Sequence, residues 1–258
     1  MFVPLGLRQA GKGKTSQKDG IKAEPSLKTN PGFCPICEKE TEFVERHEWL
    51  RDHYLCARCK SIPRNRALIH VLGMIFPDWR DAKIHESSPS GPASAKLQRE
   101  CKDYTPPHFW PNVKPGDSKY GIRCENLEQM TFADNTFDLM ITQDVMEHIL
   151  NPVKSFSDIA RILKPGGAHV FTVPYYYWKP TLIRAVETPD GIKYLEEKQF
   201  HGNPVDKEGS LVVTEWGPDF VDRIYRESKM TTAIYHIKDR SLGIDGKFLE
   251  VFVSRKPL

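Results

Sequence analysis

Cys34 and Cys37 (CPIC) and Cys56 and Cys59 (CARC) form two C-x-x-C pairs separated by 18 residues. That spacing fits a four-thiolate metal site. Each pair can aim two sulfurs at one point, and a tetrahedral Zn²⁺ takes four at ~2.3 Å. A segment of about thirty residues buries too little surface to fold alone, so the metal would supply its folding free energy. The chain starts without the pattern of a signal peptide, which predicts a cytoplasmic, reducing setting and argues against disulfides among the four. Iron in the same cage is the remaining alternative. Cys101 and Cys124 have no matched His or Asp beside them and read as core thiols.

A second set of candidates lies further along. Asp144 and His148 are four residues apart and share a face if a helix begins at 144. His148 is then a general-base candidate, against the alternative that it fixes the helix. His201, in His201-Gly202-Asn203-Pro204, is another. The aromatic run Tyr175-Tyr176-Tyr177-Trp178 can wall a pocket for a planar or sugar-like acceptor, although four consecutive side chains cannot all point one way.

These residues need elements to hold them. Residues 1–31 are polar, without apolar periodicity, and predict a disordered head; 32–63 are the cysteine-bearing ribbon, and 64–80 a connecting helix whose apolar residues fall at helical spacing up to Phe76. The main domain, 81–258, starts with a strand over 82–86, a Ser/Pro/Gly loop and a helix over 93–100. Phe137 to Thr142 reads as a buried strand, Val153 to Leu163 as an amphipathic helix stopped by Pro165-Gly166-Gly167, and Ala168 to Val173 as another strand. Strands alternating with helices predict a mostly parallel α/β sheet. An insertion over 175–217, a helix over 218–229 and two terminal strands, 231–238 and 247–255, complete it.

The stretch from Asn126 to Pro174 resembles the class I S-adenosylmethionine-dependent methyltransferases, of the type 11 kind. The resemblance rests on MTFADNTFD, DVMEH and RILKPGGAHVFTVP, three segments in the family's order. It implies a seven-stranded, doubly wound, Rossmann-like sheet with cofactor and acceptor beyond the carboxyl ends of the parallel strands. It also implies cofactor contacts at Glu86, Ser88 and Gly91 after the first strand, where serines and prolines replace the family's other glycines. Further contacts are implied at Asp103 on the ribose hydroxyls, at Asn126 and Leu127 on the adenine (with Glu125 and Glu128 as alternative registers), and at Gln143 and Asp144 by the reacting centre. The expected cofactors are S-adenosylmethionine and Zn²⁺.

Charge narrows the acceptor. The 258 residues carry 37 basic and 34 acidic side chains, net +3. Residues 1–31 hold six basic and two acidic ones, net +4, which leaves 31 and 32, net −1, for the rest. Arg58, Lys60, Arg64 and Arg66 at the ribbon's exit are offset by Glu38, Glu40, Glu42, Glu45 and Glu48 and read as a solvated rim. A near-neutral body argues for a small-molecule acceptor, a metabolite or glycan intermediate methylated on oxygen or nitrogen, and against nucleic acid. An RNA-directed methyltransferase and a non-catalytic zinc adaptor are the competing readings. No stretch suits a membrane span. The segment 6–13 (GLRQAGKG) imitates a phosphate-binding loop but has Gly13 where Ser or Thr is required.

Overall fold

The computed structural model describes residues 28–202 and 208–258. The phosphate-loop imitation at 6–13 and most of the predicted head lie outside them. The last four residues of that head are a correction: Lys28 to Pro31 belong to a strand.

The N-terminal module is a three-stranded antiparallel sheet, β1 (Lys28–Cys34), β2 (Lys39–Glu45) and β3 (Tyr54–Cys56), with a four-residue helix α1 (Leu50–His53) before β3. Helix α2 (Pro63–Ile75) starts on a proline, which suits a first-turn position because its missing N–H has no intrahelical partner there. The main sheet uses β4 (Lys83–Ser87), β5 (Asp103–Thr105), β6 (Phe137–Gln143), β7 (Leu163–Thr172), β8 (Thr231–Tyr235) and β9 (Val251–Arg255), in the order β8-β9-β7-β6-β4-β5. β7, β6, β4 and β5 are parallel; β9 and β8 add an antiparallel edge, as expected of the terminal pair.

Helices α3 (Gly91–Glu100), α4 (Pro152–Ile162) and α5 (Phe220–Ser228) complete the layers. Side chains of the central strands alternate between two cores. Ile84, Leu139, Ile141, Val170 and Val253 pack with α2, α3 and ribbon residues Ile36, Phe43 and Tyr54. Phe137, Met140, Phe171 and Phe252 pack with Phe156 and Ile159 of α4 and Phe220 and Ile224 of α5. The ribbon thus shares one hydrophobic core with the sheet.

Among the described residues the main sheet has six strands where seven are expected. Pro106, Pro107, Pro111 and Pro115 lock φ and remove donors, so no crossover helix forms after β5. A parallel strand needs such a crossover; its place is taken by a two-residue pair, Ser118–Lys119 with Ile122–Arg123, and one parallel bridge, His108 to Cys124. The insertion at 175–217 is built of short antiparallel pairs, among them Ala185–Thr188 with Gly191–Tyr194 and Phe200–His201 with Ser210–Leu211. Cys101 and Cys124 are buried free thiols.

Two histidines sit inside the sheet. His85 lies edge-on to Phe132 and Phe137 with no partner for its ring nitrogens among the described residues, and His169 pairs with Thr142 Oγ1 at 2.9 Å. Burial pushes both down to about 3. They are neutral in the fold but take up protons when unfolded below about pH 6.5. Their contribution is therefore complete above that pH and is lost as pH falls toward 3, at up to ~1.4 kcal/mol per pH unit for each. Urea unfolding at pH 7 and pH 5 checks this; equal stabilities at the two values would contradict it.

Candidate active site and metal centre

The cysteines occupy two equivalent knuckles. Cys34 ends β1 and Cys56 ends β3; Glu38 N–H donates to Cys34 O at 2.8 Å and Lys60 N–H to Cys56 O at 3.0 Å. Glu38 and Lys60 both have positive φ, +53° and +60°, which closes each turn on its second cysteine. Cys34 Sγ and Cys59 Sγ are 3.7 Å apart, Cys37 Sγ and Cys56 Sγ 4.0 Å, and all four sulfurs lie within 4.8 Å of one another. A tetrahedron of sulfurs at ~2.3 Å from a central ion has edges of about 3.8 Å, so the thiols present fit Zn²⁺.

The second region is the carboxyl edge of the parallel strands. Glu86, near the end of β4, is buried and accepts from Ser94 Oγ at 2.6 Å, Gln143 Nε2 at 2.7 Å and Tyr104 Oη at 2.5 Å. Burial raises its carboxyl above the ordinary range. Gln143 Oε1 in turn accepts from Asn65 Nδ2 of α2 at 3.0 Å. After β4 the loop turns through Ser88 (φ +52°) and Gly91 (φ +76°). A serine thus keeps the left-handed backbone that glycine usually supplies, and a Cβ at Gly91 would meet nothing closer than Asn65 Oδ1 at 3.9 Å. The departure from a glycine-rich loop is one of residue type more than of path.

Asp144 has φ +51°, so the helix expected to begin there does not; a short 3₁₀ turn over Met146–His148 follows instead. The shared helix face of Asp144 and His148 is corrected accordingly. Asp144 Oδ2 accepts from Arg51 Nη2 at 2.6 Å and faces Arg64 Nη1 at 3.2 Å, while Thr172 Oγ1 donates to Oδ1 at 2.9 Å. Beside two guanidinium groups its carboxyl is held well below the usual carboxylate range, despite burial. It is a fixed charge, unsuited to taking up a proton.

Those arginines come from the ribbon side. Arg51 lies on α1 and is 6% exposed; Arg64 and the wholly buried Arg66 lie on α2. Arg66 Nη2 donates to Tyr54 O at 2.7 Å and its Nε to Gly243 O at 3.0 Å, and burial pushes it down to about 10. Neither Arg64 nor Arg66 belongs to a solvated rim: they fasten the ribbon to the sheet's carboxyl edge and to the loop before β9.

The other predicted residues scatter. Asp103 begins β5 and pairs in register with Lys83, at the amino end of the sheet; the strand is three residues long, and its carboxyl end is Thr105. It is not placed to meet a ribose at the opposite edge. Asn126 Oδ1 already accepts from Glu128 N–H at 3.0 Å, and Leu127 is buried in the core. The alternative registers are engaged as well: Glu125 with Arg123 at 2.6 Å and Thr131 N–H at 2.8 Å, Glu128 with Asn151 N–H at 2.9 Å.

His148 and His201 do come together, with ring centroids 5.3 Å apart, and Glu147 joins them. Beyond β7, Tyr175, Tyr177, Trp178, His236, Phe248 and Glu250 are among the side chains around a cavity of about 350 Å³. Tyr175 is buried and reaches both the core and the cavity, while Tyr177 and Trp178 are exposed. Sequence reasoning missed Arg51, Asn65, Tyr104 and Glu147. The first three carried no local signal; Glu147 stood inside the DVMEH segment beside the histidine that drew attention.

An open, mostly parallel α/β sheet with its polar groups gathered beyond the carboxyl ends is the architecture of cofactor-binding transferases and dehydrogenases. Residues 90–171 match the family model described as a methyltransferase domain. A dimethylglycine N-methyltransferase from Parasynechococcus marenigrum is 36% identical over 64 residues, 24% of this chain and 23% of that protein. A ubiquinone biosynthesis O-methyltransferase from Parvibaculum lavamentivorans is 38% identical over 58 residues, 22% of this chain and 23% of that protein. The aligned stretches thus span about a quarter of these relatives' length. Among solved structures, an S-adenosylmethionine-dependent methyltransferase from Mesorhizobium loti superposes with a TM-score of 0.48 at 11% identity, covering 74% of this chain and 98% of that one.

Proposed function

We propose that the protein is an S-adenosylmethionine-dependent methyltransferase acting on a small-molecule acceptor, with a zinc-bound ribbon clamped across the carboxyl edge of its sheet. The observation that carries the reading is the coincidence of three features at that edge: the matched methyltransferase domain, the turned loop after β4, and the cavity lined by Tyr175, Tyr177 and Trp178. S-adenosylmethionine, when bound, supplies an electrophilic methyl group. Glu86, Ser88, Gly91 and Gln143 are the residues assigned to holding it. Glu86 anchors the loop through Ser94 and ties it to Gln143, so the ends of β4 and β6 keep one geometry. Asp144 orients Arg51 and Arg64 and acts by positioning. The acceptor is held against Tyr175, Tyr177 and Trp178, whose rings line the cavity. The curated relatives, one acting on a nitrogen and one on an oxygen, leave the methylated atom to experiment.

Calorimetric titration of zinc-replete protein with S-adenosylmethionine is expected to give one site in the micromolar range. Generic RNA is expected to show no salt-dependent binding. Incubation with methyl-labelled cofactor and a panel of hydroxyl- and amine-bearing metabolites then identifies the acceptor. Failure to bind the cofactor would overturn the enzymatic reading, and a steep salt dependence on RNA would replace the small molecule by a nucleic acid.

A further inference from the structure

Glu147, His148 and His201 form the second group of metal-ligating side chains among the described residues, apart from the four cysteines. Glu147 is 1% exposed, and neither of its carboxylate oxygens has a hydrogen-bond partner among the described residues. His148 Nε2 and His201 Nδ1 each lie 3.8 Å from its Oε1. A buried carboxylate left without a partner is costly by several kcal/mol, and such groups are normally paired or bound to a metal.

The histidines are set up for the second solution. His148 Nδ1 lies 2.8 Å from Leu211 O. A carbonyl only accepts, so Nδ1 carries the proton, and the neutral ring then presents the lone pair of Nε2 on the side of Glu147. A metal-ligating histidine is commonly oriented in this way, by a backbone carbonyl on its other nitrogen. Backbone supports the cluster too: Val213 N–H donates to Glu147 O at 2.8 Å, and the strand bearing His201 pairs Phe200 with Leu211. The ligand atoms lie within 4.8 Å of one another. Metal–ligand distances of ~2.0–2.2 Å bring such atoms to roughly 3–3.5 Å, so a small closure completes the site.

We propose that Glu147, His148 and His201 bind one divalent transition-metal ion, distinct from that of the cysteine cluster. Two imidazoles and one carboxylate suit zinc, iron(II) or manganese, and three protein ligands leave coordination positions open to an acceptor oxygen. The ion would also join the insertion at 175–217 to the end of β6. Metal binding here is independent of whether the protein transfers methyl groups.

The test is a Co²⁺ titration of the full chain with the ribbon already zinc-loaded, followed by visible absorption. Wild type is expected to take one further equivalent, with weak d–d bands and no thiolate charge-transfer band. Glu147→Gln and His201→Gln are expected to weaken it by more than the roughly 10–100-fold that even an outer-shell change costs. His70→Gln on α2 is expected to leave it intact. The metal should raise the unfolding temperature of wild type but not of Glu147→Gln, which guards against a variant that merely misfolds. Wild type taking no further equivalent, or one indifferent to both substitutions, would overturn the proposal. Cofactor binding, measured separately on Glu147→Gln, tells this failure from a failure of the methyltransferase reading.

Discussion

Asp144→Asn is expected to destabilise the protein by about 3–5 kcal/mol, the usual cost of removing one member of a buried ion pair. The side chain of Asp144 is 16% exposed and that of Arg51 7%, and their contact is 2.6 Å. Without the carboxylate, Arg51 retains only Phe248 O at 3.2 Å and Asp52 at 3.7 Å, so its charge is left largely uncompensated out of water. Arg51→Met should cost less, about 2–3 kcal/mol, because Asp144 keeps Arg64 at 3.2 Å and the Thr172 hydroxyl. The double variant should recover part of the loss, since neither charge is then stranded. Urea unfolding of the four proteins measures this, and strictly additive costs would contradict it. The pH dependence has a definite sign. The Asp144 carboxyl is held below its unfolded value, so its contribution is complete above the ordinary carboxylate range and is lost progressively below it, where the unfolded carboxyl takes up a proton and the folded one does not. The gap between wild type and Asp144→Asn should therefore persist at pH 5. Both single variants should also weaken cofactor binding, because Arg51 and Asp144 join the ribbon to the edge proposed to hold the cofactor.

Removing zinc is expected to have the larger structural effect. A four-thiolate ion contributes on the order of 10 kcal/mol of binding free energy that becomes folding free energy. The three ribbon strands are three to seven residues long and cannot hold their register without the knuckles. Loss of that module would not stay local. Phe43 and Tyr54 share a core with α2 and the sheet, Arg66 bridges Tyr54 to Gly243, and Arg51 reaches Asp144. Chelation, or Cys56→Ser, should thus lower the unfolding temperature, release one zinc per chain from the ribbon and abolish cofactor binding together. Metal analysis, circular dichroism and calorimetry on one preparation check the linkage. A zinc-free protein that keeps its melting temperature and binds S-adenosylmethionine normally would show the ribbon to be an independent appendage.

Much of this was legible beforehand because it is written in short-range pattern. Cysteine spacing, the 3.6-residue period of α4 and the apolar run of β6 are local signals, and β6 and α4 appear within one residue of expectation, whereas β7 starts at Leu163, five residues before the expected Ala168, and runs through Pro165-Gly166-Gly167. Errors arose where a local pattern had to predict a partner. Asp103 was assigned to a strand's end, but a three-residue strand pairing with Lys83 put it at the start. Lys28 to Pro31 looked unstructured by composition, yet β2 offered them a strand to pair with. The prolines after β5 were visible, but their effect on a crossover, and so on the number of strands, depends on how far the chain must travel.

By itself, then, the sequence determined most elements, the two cysteine pairs with metal-ligand spacing and the class of fold, because backbone propensity and ligand spacing act over a few residues. Tertiary structure alone decided that the ribbon's arginines neutralise Asp144, that Glu147 is buried without a hydrogen-bond partner among the described residues, and that His201 from a distant insertion meets His148. Charge pairing and burial depend on which surfaces meet across 50 to 100 residues of chain, and no local period records that.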